Sequence, residues 1–176
     1  HGVTIIISGG EPLMRTDLEL VGRELMKREY PWGMVTNGML LTERRLRTLT
    51  DAGLHSVTVS VDGLEADHNW MRGHESSYSN AMNAVRLLAR TEGIVWDIVT
   101  CVNARNIESL PLLYESLLEA GVRRWRLVGV FPMGRAREVP EFQLSAADYR
   151  RVMDFVIAVR RTGTMRVSSG CEGFLG

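Results

Sequence analysis

The stretch Thr4-Ile5-Ile6-Ile7-Ser8-Gly9-Gly10-Glu11-Pro12 runs an apolar segment into two glycines, a carboxylate and a proline. Its chemistry is that of open backbone beside one anionic side chain. Gly9 and Gly10 lack a Cβ, so a ligand can lie against their main chain. Glu11 is an acceptor-only group, suited to an ammonium. Pro12 fixes φ and blocks further strand pairing. A strand, Gly-Gly, helix turn serves equally well as a tight reversal without a ligand. The stretch alone does not separate the two readings.

A second set of polar groups lies on one strand. From Leu54 to Val61, Val57, Val59 and Val61 share one face, and Thr58, Ser60 and Asp62 share the other. A parallel strand buried on both faces reads as apolar throughout. Polarity on a single face, between two helices, points to a wet concave interior. The competing reading is an antiparallel strand with one solvated face, which the alternating helices argue against. Thr36-Asn37-Gly38 is a turn. His68 to Gly73 reads as part of a long polar loop, in which His68 and Arg72 are solvated.

The elements that position these groups alternate. A strand over Val3 to Ser8 is followed by a helix carrying Leu18, Val21 and Leu25, with Thr16 and Asp17 as cap candidates. Gly33 to Thr36 is a short strand; Thr42 caps a second helix that Gly53 closes. After the polar loop, a third helix holds Met82, Val85 and Leu88, and Ile94 to Val102 is a strand. Leu110, Leu113 and Leu117 mark a fourth helix, and Arg124 to Phe131 the next strand. Ser145 caps a last helix, and Met165 to Val167 is a candidate short strand. Strand–helix units recur about every 30 residues, as in βαβ architecture. Right-handed crossovers then bring the strand C-termini to one rim, with Gly9 to Glu11, Thr36 to Gly38, Ser60, Asp62, Asn103 and Pro132 to Arg135. The expectation is about five parallel strands, helices on one outer side and an open lateral edge.

The 176 residues fit one domain, with 45% hydrophobic and 24% charged residues. Lys plus Arg and Asp plus Glu number 21 each, so net charge argues for neither nucleic acid nor an anionic membrane. Lys27 is the only lysine, a bias that favours bidentate anion binding in principle but that a GC-rich genome explains better. No apolar run approaches the ~20 residues of a membrane span. Cys101 and Cys171 make no disulfide framework, and a reducing cytoplasm is the default. The start at His1, almost directly in a strand, suggests that residues precede it.

The ordered set Ser-Gly-Gly-Glu-Pro-Leu, Thr-Asn-Gly, Ser-Val-Asp-Gly, His-x-x-x-Arg-Gly, Val-Asn and Pro-x-Gly-Arg-Ala resembles the radical S-adenosylmethionine (radical SAM) superfamily. It is most similar to maturases with a C-terminal cysteine-rich extension, of SPASM or twitch type. The resemblance implies an α/β fold, a partial (β/α)6 TIM-like barrel over residues 1–170, with residues 171–176 starting the extension. It implies that Gly9, Gly10, Glu11 and Pro12 receive the amino end of S-adenosylmethionine, with Thr36 and Asn37 beside it. Ser60 and Asp62 would meet the ribose, and Arg72 the cofactor carboxylate. Asn103 would contact cofactor or substrate, and Arg126 would face substrate. Cys171 would ligate an auxiliary iron–sulfur cluster.

The family's Cys-x-x-x-Cys-x-x-Cys motif, which holds a four-iron–four-sulfur (4Fe-4S) cluster, precedes the Gly-Gly-Glu strand and is absent from these residues. The resemblance therefore implies an N-terminal strand and cluster loop outside the chain, and a chain inactive by itself. In complete form such an enzyme generates a 5′-deoxyadenosyl radical, fed by a donor such as flavodoxin or ferredoxin, and acts on a peptide or protein. Two other readings stay open. One is a non-radical α/β-barrel enzyme with a phosphate or carboxylate site using Glu11 or Asp62 as acid or base. The other is a non-catalytic binding module of the same fold.

Overall fold

The computed structural model describes residues 2–130 and 134–170. Its six strands are β1 (Ile5–Ile7), β2 (Trp32–Thr36), β3 (Leu54–Ser60), β4 (Val95–Val102), β5 (Arg124–Gly129) and β6 (Arg166–Ser169). Its helices are α1 (Leu18–Lys27), α2 (Glu43–Asp51), α3 (Glu65–Arg72), α4 (Ser77–Ala89), α5 (Leu110–Glu119) and α6 (Ala146–Thr162). The strands pair in sequence order, all parallel. Crossovers between parallel strands of one sheet are almost always right-handed, and here each advances in the same direction, so the helices collect on one face. The result is the partial barrel, with β1 and β6 at its edges among the described residues.

The outer face of the sheet is apolar and meets the helices. Trp32, Met34, Val57, Val59, Ile98, Trp125, Leu127 and Val167 are buried there with Leu18, Leu49, Val85, Leu88, Leu113, Leu117 and Val156. The indole of Trp32 donates to Ala52 O at 3.1 Å, so its polar atom is satisfied inside the core. Gly22, mid-way along α1, makes room for that ring; a Cβ there would lie 2.4 Å from Trp32 Cζ2. Glycine costs about 1 kcal/mol of helix propensity at such a position, and the Trp32 packing compensates.

The helix caps follow from short local signals. Thr42 accepts from Arg45 N, and Ser145 forms a capping box with Asp148. Asp17 occupies the N-cap of α1 but makes no cap bond; its carboxylate pairs with Arg15 instead. The candidate strand at Met165 to Val167 is present as β6, Arg166–Ser169, which adds a sixth strand to the five expected. One expectation needs correction: the polar loop at His68 is the helix α3, with Glu65 and Asp67 at its positive end and Arg72 in its last turn. Its sequence lacks a clear apolar stripe, which is why the 3.6-residue period does not reveal it.

Candidate functional site

Glu11 ties two rim loops together. Its Oε1 accepts from Thr36 Oγ1 at 2.6 Å and from Leu13 N at 3.1 Å, and its Oε2 accepts from Asn37 N at 2.7 Å. Thr36 Oγ1 in turn accepts from Gly38 N, and Asn37 Oδ1 from Met39 N. A carboxylate has about four lone-pair positions; three are filled by the protein, and one on Oε2 stays open. Pro12 begins a short 3-10 turn, Pro12–Met14, for which Glu11 is the cap. Next to this knot, Gly9 and Gly10 are exposed, and a Cβ at either would meet nothing within 4 Å. Gly9 has φ +113°, a conformation that needs glycine. Open backbone therefore lies beside an anchored carboxylate.

The second cluster is centred on Asp62, which is fully buried. Its Oδ1 accepts from Cys101 N at 3.0 Å. Its Oδ2 accepts from Arg72 Nε at 2.6 Å and also pairs with Arg72 Nη2. Arg72 reaches it from the end of α3 and remains 30% exposed, and among the described residues its Nη1 has no hydrogen-bond partner. His68, one helical turn earlier, is fully buried. The Asp62 amide donates to His68 Nδ1 at 2.9 Å, so Nδ1 carries no proton. The proton is then on Nε2, which faces Ser77 Oγ at 3.1 Å. Burial holds the imidazole neutral, with a pKa lowered to about 4; Arg72 pushes the same way, and Asp62 opposes. The solvated reading of His68 is thus overturned: it props the Asp62 loop from beneath.

Asn103 and Asn106 complete the support. Asn103 Oδ1 accepts from Arg105 N and Asn106 N at 2.9 and 3.1 Å, and its Nδ2 donates to Cys101 O at 3.3 Å. Asn106 Nδ2 donates to Asp62 O and, at 2.9 Å, to Cys101 O. Both side chains are buried. The Asn-x-x-Asn spacing was the available signal for Asn106, which the sequence reading missed. Ser60 differs from these groups: it sits on the inner face of β3, and its hydroxyl has no partner among the described residues.

Below the rim, the inner wall is polar. Ser60, Val99, Arg126 and Ser168 lie side by side in one row across the sheet. In the next row down, Thr58 pairs with Asp97 and Arg124 with Arg166. Thr58 Oγ1 donates to Asp97 Oδ1 at 2.6 Å. Arg126 donates through Nε to Asp97 Oδ2 at 2.6 Å and through Nη2 to Thr58 Oγ1 at 2.9 Å. In a closed barrel, branched apolar side chains fill these positions. Here they are hydroxyl, carboxylate and guanidinium.

The family model for the Radical SAM superfamily matches residues 2–117. The chain belongs to that superfamily. It is 29% identical over 168 residues to an AdoMet-dependent heme synthase of Methanosarcina barkeri, covering 95% of this chain and 47% of the relative. It is 28% identical over 125 residues to a PqqA peptide cyclase of Granulibacter bethesdensis, covering 70% and 33%. The crystal structure of Streptococcus suis SuiB bound to S-adenosylmethionine superposes with a TM-score of 0.78 at 16% identity, over 96% of this chain and 40% of that one. That likeness shows the fold. The chain spans less than half the length of these relatives.

Within this radical SAM barrel, the sequence-selected rim residues fall into three groups. Gly9 and Gly10 present open backbone, and Ser60 and Arg72 present unused donors. Glu11, Thr36, Asn37 and Asn103 are bonded chiefly to each other and to the main chain, and Asp62 is bonded to Arg72 and to the Cys101 amide. Arg126 is on the inner wall, held by Asp97, a residue the sequence reading passed over. Cys171 and the Pro132–Met133 part of the Pro-x-Gly-Arg-Ala motif lie outside the described residues. Among the described residues, no group of three or more His, Cys, Asp and Glu side chains is placed to hold a metal ion, and no helix is long and apolar enough to cross a membrane.

Proposed function

We propose that this chain is the cofactor-binding core of a radical SAM enzyme. The observation that carries this is the pairing of free rim groups with an anchored scaffold: Gly9 and Gly10 open to ligand, Arg72 clamped by Asp62 with Nη1 spare. Backbone carbonyls at Gly9 and Gly10, with the open lone pair of Glu11, suit the ammonium of S-adenosylmethionine. Arg72 Nη1 suits its carboxylate as a charge-assisted donor. Ser60, on the inner face and without a partner, suits a ribose hydroxyl. In this reading Asp62 and Asn103 act as positioning residues, and Thr36, Asn37 and Pro12 fix the loop that Glu11 caps.

When bound, S-adenosylmethionine and a reduced 4Fe-4S cluster supply a radical that takes a hydrogen atom from substrate. The cluster's thiolates would come from outside this chain, and Cys171 would join an auxiliary cluster in the whole protein. The protein's own task is to orient the cofactor and exclude quenchers. No general base is required of the wall.

For the substrate, our first reading is a peptide or protein side chain, as for the peptide-cyclase relatives. A second reading is a tetrapyrrole. It is favoured by the heme-synthase relative, which spans 95% of this chain against 70% for the peptide cyclase. The cofactor reading is tested by calorimetric titration of the complete protein with S-adenosylmethionine. Wild type is expected to bind, and Arg72→Ala to lose about tenfold or more in affinity. Equal affinity in the two would remove Arg72 from the site.

A further inference from the structure

We propose that Arg124 and Arg166 anchor a carboxylate group of the substrate at the floor of the partial barrel. This deepens the proposed function and rests on it, since it takes the barrel interior as the substrate chamber.

A cavity of about 520 Å3 opens at the N-terminal ends of β4, β5 and β6. Arg124, Arg126, Arg160 and Arg166 line it, and Asp97 is the single carboxylate among its lining residues. Its size lies within the range of small-molecule sites, roughly 300–1,000 Å3. Asp97 is already engaged: both of its oxygens are bonded to Arg126, and one of them to Thr58 as well. Arg160 Nε is bonded to Val167 O. Arg124 and Arg166 have no carboxylate partner among the described residues.

Those two arginines are direct cross-strand neighbours on β5 and β6, and both are exposed. Like charges at such positions oppose each other. A ligand carboxylate between the two guanidinium forks relieves that repulsion and forms charge-assisted, bidentate bonds. Lone arginines at strand ends are ordinarily just solvated. A facing pair inside a cavity whose only acid is taken is a different arrangement.

The same geometry sets a length. Arg124 and Arg166 share the level of Thr58, and Asp62 is four residues further on, two beyond the end of β3. At about 3.3 Å per residue, the floor lies about 13 Å below the cofactor rim. A substrate anchored at the floor and reacting near the rim must be long and must carry a carboxylate at the end remote from its reacting atom. A propionate-bearing tetrapyrrole and an acidic peptide both fit this description.

The test uses the complete protein at low salt, with propane-1,2,3-tricarboxylate as the probe in calorimetry. Wild type is expected to bind it saturably. The Arg124→Ala/Arg166→Ala double variant should lose about tenfold or more, and the double lysine variant should fall between. Both side chains are exposed, so the variants should keep their circular dichroism and their affinity for S-adenosylmethionine. Titration with a tetracarboxylate porphyrin and with a glutamate-rich peptide then identifies the source of the carboxylate, as the ligand whose affinity drops in the double variant. The proposal is overturned if wild type fails to bind the tricarboxylate, if the double variant binds it equally, or if neither larger ligand responds. Loss of S-adenosylmethionine binding in wild type, with the tricarboxylate still bound, would sink the cofactor reading and leave the anchor standing.

Discussion

Asp62 holds Arg72 across ten residues of chain, Oδ2 to Nε at 2.6 Å, while its other oxygen takes the Cys101 amide from the neighbouring strand. One buried carboxylate therefore sets both the aim of a guanidinium and the end of β4. Asp62→Ala should lower stability by roughly 1–3 kcal/mol, because the Cys101 N–H loses its acceptor in a buried place. It should also weaken S-adenosylmethionine binding through Arg72. In a double-mutant cycle, Asp62→Ala and Arg72→Ala should be non-additive for binding. Additive losses, by calorimetry on complete protein, would show that the two act separately.

His68 makes stability depend on pH. Its pKa is lowered from 6.5 to about 4 in the folded chain. Below pH 6.5 the unfolded chain takes up a proton that the native imidazole refuses. Native stability is therefore unpenalised above that pH, falls as pH drops toward 4 and levels off below it. The loss at acid pH is about 3 kcal/mol from this group. Urea unfolding between pH 7 and pH 4 should show it, and His68→Gln should flatten the profile. An equal slope in the variant would assign the acid sensitivity elsewhere.

Glu11→Ala removes the acceptor for two amides and one hydroxyl at once. A loss of about 1–3 kcal/mol is expected. Amide exchange at Asn37 and Leu13 should speed up more than exchange in the centre of β3. Unchanged protection at both amides would mean that the knot between the two loops is not held by this side chain.

Gly22→Ala tests the core. An exposed helix site would gain about 1 kcal/mol from this change. Here the new methyl meets the Trp32 ring at 2.4 Å, so the variant should instead lose about 1–3 kcal/mol through overpacking. A higher denaturation midpoint than wild type would contradict the packing described.

Much of the fold was present in local sequence. Val57, Val59 and Val61 against Thr58, Ser60 and Asp62 state which side of β3 faces helices, because side chains alternate with a fixed period of two. Gly53 and Thr42 mark helix ends by the backbone geometry and cap chemistry they permit. Helix α3 was hidden because its burial rests on His68, a polar residue whose ring atoms find partners only after folding.

What tertiary structure alone decided is which polar groups are bonded to which. Glu11 meets Thr36 and Asn37 from 25 and 26 residues away, and Asp97 meets Thr58 and Arg126 across two strand pairs. These pairings depend on the register of neighbouring strands. The hydrophobic pattern of a strand fixes which face is buried, but its pairing with a neighbour also needs the packing of the apolar face and the length of the crossover, which no single strand carries. The order of motifs along the chain therefore placed the rim, while the register determined that Gly9, Ser60 and Arg72 keep free groups and that Asp62 and Asn103 do not.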